Sequence, residues 1–95
     1  MMLAKVSGTI VATQRNDRME HPSYLLVTPC GTDGIAVGSP IIALDSVNAG
    51  REEIVLVSQG SSTRQIRETI DKPVDALIIG IVDAVEDSGR EVFIK

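Results

Sequence analysis

The sequence predicts an all-β fold: a small barrel of five to six short strands, with one short helix between the fourth and fifth. Three observations predict it. The first segment alternates apolar and polar residues with a period of two. Short runs rich in Val, Ile and Leu then recur, and clusters of Gly, Pro, Asn and Asp separate them.

Leu3 to Thr13 places Ala4, Val6, Gly8, Ile10 and Ala12 on one face and Lys5, Ser7, Thr9 and Thr13 on the other. That pattern marks a half-buried strand, and Gly8 at its centre suggests the bend that a closing barrel requires. Gln14 to Ser23 carries Arg15, Asp17, Arg18, Glu20 and Pro22 and reads as a loop. Tyr24 to Thr28 is a second strand ended by Pro29. Gly31-Thr32-Asp33-Gly34 is a turn, and Gly38-Ser39-Pro40 breaks the chain again. Ile41 to Val47 is a third strand, Asn48-Ala49-Gly50 a turn, and Ile54 to Ser58 a fourth strand.

Ser62-Thr63-Arg64-Gln65 fits a capping box, so a helix is predicted to start there, and Asp71-Lys72-Pro73 stops it. Ala76 to Val85 is a fifth, strongly apolar strand. Asp87-Ser88-Gly89-Arg90 turns it into a last short strand, Glu91 to Ile94. Strands in this order, with one short helix before the fifth, make an OB-like barrel. The third and fifth strands are apolar on both faces, which suggests that part of the barrel's outer wall meets other subunits. No linker interrupts the chain, so residues 1–95 are expected to form one domain.

Composition narrows the function. Hydrophobic residues make up 43% of the chain, yet there is one Tyr and one Phe. The core must therefore be aliphatic, and a chain this small has more apolar surface than a lone barrel hides, which favours self-association. Nine basic residues against thirteen acidic ones leave a net charge of −4. That balance lacks the positive footprint a nucleic-acid binder needs. Cys30 is the sole cysteine, so no intrachain disulfide forms and a reducing cytoplasm fits. The start is broken by Lys5, Ser7 and Thr9, unlike a signal peptide. No run approaches the roughly 18–20 apolar residues of a membrane helix. No membrane association is expected.

Catalytic candidates are poor. His21 lies in a charged loop, and it is the sole histidine, so neither a Cys/His nucleophile nor a structural zinc site is expected. Asp45 and Asp83 each follow an apolar run, but carboxylates there are more often hydrogen-bonding caps than an acid/base pair. Gly60-Ser61-Ser62 before the predicted helix could hold an anion, although no Lys completes a P-loop. The expectation is a protein that is no enzyme and holds no cofactor or metal. An OB-type binding module for nucleic acid or a small anion is the alternative.

The order of motifs is similar to one family. Residues 3–14 (Leu-Ala-Lys-Val-Ser-Gly-Thr-Ile-Val-Ala-Thr-Gln), Tyr24-Leu-Leu-Val, Ala43-Leu-Asp-Ser-Val-Asn-Ala-Gly, Ile54-Val-Leu-Val, Gly60-Ser-Ser-Thr-Arg-Gln, Lys72-Pro-Val-Asp-Ala and Ile79-Gly-Ile-Val-Asp occur in sequence. The chain thereby resembles the pentameric vertex proteins of bacterial microcompartments, the carboxysome and ethanolamine-utilisation types. It departs where that family usually has glycine, at Asn48 and often at Arg51 or Glu52, and Thr63 stands where alanine is common. Asn tolerates the left-handed backbone that glycine supplies.

The resemblance implies a cytoplasmic shell protein. It would form a homopentamer that plugs the vertices where sheets of shell hexamers meet. A closed ring needs one patch on the subunit to fit a different patch on its neighbour. The expected contact residues are Asp45, Val47, Ala49, Gly50, Arg64 and Asp75, with Gly60, Ser61 and Ser62 lining a narrow central channel.

Overall fold

A computed structural model describes residues 1–11, 23–60 and 75–95. Seven strands occur among them: β1 (Met2–Thr9), β2 (Tyr24–Pro29), β3 (Ile41–Asp45), β4 (Ile54–Gln59), β5 (Ala76–Ile81), β6 (Ala84–Asp87) and β7 (Arg90–Ile94). The first five close into a barrel in the order β1-β2-β3-β5-β4, with β4 pairing back onto β1. All pairings are antiparallel except β3 with β5, where Leu44 faces Leu77 and Asp45 faces Ile78. This is the strand order of an OB-like barrel, as expected. The predicted short helix falls within residues 61–74, outside the described residues.

The alternation in β1 works as the sequence implies. Ala4 and Val6 are buried, while Ser7 and Thr9 face outward. The register slips between Val6 and Gly8, so the glycine sits beside the bulge that curves the strand. Inward positions of all five strands supply one core: Ala4, Val6, Leu25, Val27, Ala43, Val55, Val57, Ala76 and Ile78. No aromatic ring joins it, so small and β-branched side chains fill the barrel. Each fully buried Val or Ile contributes about 1.5–3 kcal/mol.

One strand differs from the sequence reading. The apolar run from Ala76 to Val85 is two elements, because β5 ends at Ile81 and β6 begins at Ala84. The Val82 N–H still donates to the Ile54 carbonyl at 2.8 Å, and the chain then leaves the barrel. β6 and β7 form a separate two-stranded sheet. Ser88 (φ +55°) and Gly89 (φ +80°) make the tight turn between them, the left-handed pair that a two-residue hairpin loop demands. A two-stranded hairpin is marginal by itself. This one rests on the barrel through Phe93, whose ring lies against Gly34. A Cβ at Gly34 would come within 2.9 Å of Phe93 Cδ1, and its φ of +83° also favours glycine.

Candidate functional site

The loop after β3 is built by a carboxylate. Asp45 Oδ1 accepts the Val47 N–H at 3.1 Å, and Oδ2 accepts the Ala49 N–H at 2.9 Å. The Ser46 hydroxyl donates to the Ile78 carbonyl of β5 at 2.7 Å. Val47 and Ala49 are thereby turned inward, half-buried against the barrel core. Asn48 takes φ +60°, the left-handed geometry expected where its residue type replaces glycine. Ser46, Asn48 and Gly50 are left exposed at the loop's surface. Of the expected contact residues in this loop, Asp45 thus spends both oxygens within its own subunit, and Gly50 faces outward.

Glu53 links this loop to the C-terminal hairpin. Its Oε1 accepts the Gly50 N–H, and its Oε2 lies 2.6 Å from Lys95 Nζ. Lys95 also stands 3.8 Å from Asp83, and its N–H donates to the Asp83 carbonyl. The hydrogen bond from Lys95, then that from Gly50, holds the Glu53 carboxyl below the usual carboxylate range. The same hydrogen bond raises Lys95 above the usual amine value. Beside it, Glu52 (φ +70°) pairs with Lys5 at 3.1 Å, and its N–H donates to the Val6 carbonyl. Sequence reasoning missed the Glu53 hub, since nothing local marks a residue whose partner is the last in the chain.

At the other end of the barrel the chain leaves β4 at Gly60 and returns at Asp75. Gly60 has φ +68°, and its N–H donates to the Asp75 carbonyl at 3.0 Å. Both ends of segment 61–74 are therefore held together at the Gln59–Ala76 pair. Ser61, Ser62 and Arg64 lie outside the described residues, as does His21. Among the described residues no group of three or more His, Cys, Asp or Glu is placed to hold a metal. Burial first, and then Asp33, pushes the Cys30 thiol up, which disfavours a reactive thiolate.

The barrel's outer wall is uneven. Lys5, Ser7, Thr9 and Thr28 make the β1–β2 side polar, with the Ser7 and Thr28 hydroxyls 3.0 Å apart. Tyr24 and Leu26 at the start of β2, Ile42 and Leu44 of β3, and Leu77 and Ile79 of β5 are apolar instead. Leu44 and Leu77 form a second buried cluster there, against Tyr24 and Ile79. Leu26 pairs with Ile42 beyond it.

Comparison with known proteins places this architecture. The family described as "Ethanolamine utilisation protein EutN/carboxysome" matches residues 1–83, which span the whole barrel and stop before β6. Over 95 residues the chain is 42% identical to the bacterial microcompartment shell vertex protein EutN of Salmonella typhimurium, covering 100% of this chain and 96% of that one. The structure of Gloeobacter violaceus CcmL superposes with a TM-score of 0.90 at 36% identity, covering 100% of this chain and 98% of that one. The GrpN pentameric microcompartment shell protein from Rhodospirillum rubrum superposes with a TM-score of 0.80 at 41% identity, covering 92% and 99% respectively.

Proposed function

This chain belongs to the EutN/carboxysome family, and on that premise we propose that it is a shell vertex subunit of a bacterial microcompartment. Five copies form a ring, and the ring plugs the vertices of an icosahedral shell in the cytoplasm. A flat sheet of hexamers cannot close on itself; inserting five-fold units supplies the curvature. The role is mechanical, so the subunit catalyses nothing and its neighbours are the shell hexamers of the same compartment.

The observation that carries this reading is the match over the full chain to shell vertex proteins, in sequence and in fold together. The likeness to a pentameric shell protein at 41% identity supports the ring size. Within the ring, the exposed Gly50 side of the β3–β4 loop and the segment from Arg64 to Asp75 meet the neighbouring subunit. Gly60, Ser61 and Ser62 face the five-fold axis. The Gly60–Asp75 hydrogen bond supports that placement, because it pins both ends of the connecting segment at one end of the barrel.

Producing the hexameric shell proteins of the same compartment with and without this chain tests the role. Closed polyhedral shells are expected with it, and elongated or open assemblies without it. Closed shells of equal shape in both cases would remove the vertex function.

A further inference from the structure

Each barrel strand gives residues to one core, and the C-terminal hairpin gives none. β1 to β5 all contribute buried side chains, and β4 pairs back onto β1, so the barrel is complete at Ile81. From Asp83 to Lys95 no residue is buried. Among the described residues the last backbone hydrogen bond to the barrel runs from the Val82 N–H to the Ile54 carbonyl. Beyond it the Lys95 N–H donates to the Asp83 carbonyl, which closes the hairpin on itself. Val82 and Asp83 belong to neither β5 nor β6. Such a two-residue joint, between sheets that share no ladder, absorbs a change of backbone angle without breaking either sheet.

The hairpin does little to hold itself in place. Glu86 stands directly opposite Glu91, and like charges so placed are destabilising. Its two attachments to the barrel both lie at the end of β7: Phe93 at Gly34 and Lys95 at Glu53. The ion pair is the weaker, because the Lys95 side chain is half in water. The ring is the more specific. A Cβ on Gly34 would come within 2.9 Å of Phe93 Cδ1 and 3.5 Å of Ile54 Cδ1. Phe93 therefore rests in a notch that exists only because residue 34 has no side chain, beside the buried Ile54.

We propose that the β6–β7 hairpin is a hinged arm that swings off the barrel as one unit about Val82–Asp83, with the Phe93 ring in the Gly34 notch as its latch. Opening breaks no barrel ladder and removes no side chain from the barrel core, so the barrel stays folded while the arm is away. The open arm frees Phe93 and uncovers the apolar notch beside Ile54. The arm is a property of the single subunit and stands apart from the vertex role.

Amide hydrogen exchange at fixed pH, read residue by residue in wild type, Gly34→Ala, Gly60→Ala and Phe93→Leu, tests the arm and its latch. Gly34 and Gly60 both have positive φ, +83° and +68°, but only the methyl at residue 34 meets the ring; nothing lies within 4 Å of the one at residue 60. In wild type the ladder amides of β6 and β7 are expected to share one protection factor, about a hundredfold or more below the barrel strands. Gly34→Ala and Phe93→Leu should lower hairpin protection about tenfold further relative to the barrel, and Gly60→Ala should not. Phe93→Leu leaves the backbone untouched and decides the latch by itself if Gly34→Ala does not fold. Hairpin amides as protected as the barrel strands, or protection graded outward to the Ser88–Gly89 turn, would overturn the hinged arm. Hairpin protection that Phe93→Leu leaves unchanged, or that Gly34→Ala and Gly60→Ala shift alike, would overturn the latch.

Discussion

Asn48 and Glu52 hold left-handed backbone at φ +60° and +70°, and they bear it differently. Asn is among the few residues that visit this region readily, while Glu gains nothing there to offset the crowding at its Cβ, which costs on the order of 1 kcal/mol. Glu52→Gly is therefore expected to raise stability in urea unfolding more than Asn48→Gly does, despite losing an exposed ion pair to Lys5 that contributes little. Gly60→Ala should cost about 1 kcal/mol from its φ of +68° alone, since open space surrounds the added methyl. Asp45 is a different case. Asp45→Ala strands two half-buried N–H groups, at Val47 and Ala49, and is expected to destabilise the chain by about 1–3 kcal/mol. An unfolding midpoint unchanged from wild type would show that the loop holds its shape without the carboxylate.

The hairpin β6–β7 depends on two attachments, Phe93 over Gly34 and Lys95 on Glu53. Glu53 is depressed below its ordinary value of 4.5, so the stabilisation it gives is complete above that value and fades as pH falls through the lower folded one. Lys95 is raised above 10.5, so its contribution is present below that value and is lost only as pH climbs past it. Hydrogen-exchange protection factors in β6 and β7 should thus fall as pH drops below 4.5, with the barrel strands still protected; equal loss of protection in both sheets would deny the hairpin its own attachment. How much of these elements could be read from sequence follows from range. The strand β1, the left-handed Asn48 and the Ser88–Gly89 turn are local signals, and each was legible. The break between β5 and β6 was not, because Ile81, Val82, Ala84 and Val85 are apolar on both sides of it. What ends β5 is the loss of a β4 partner beyond Ile54, a tertiary fact. The Glu53–Lys95 pair joins residues far apart in sequence, and no spacing announces it.

At the scale of the whole molecule the unevenness of the barrel wall matters most. Apolar residues on both faces of the third and fifth strands already implied an outer contact, and the strand order gathers them onto one wall with β2. What composition alone could not indicate was which of the candidate contact residues are spent inside the subunit, as Asp45, Val47 and Ala49 are. A vertex subunit has no function as a monomer, since its role is the five-fold geometry it imposes. Native mass spectrometry of the purified wild-type chain tests that claim most directly. The account predicts one dominant species of about 50 kDa, five times the 10.1 kDa subunit. A stable species at 10.1 kDa, holding at high protein concentration, would contradict it.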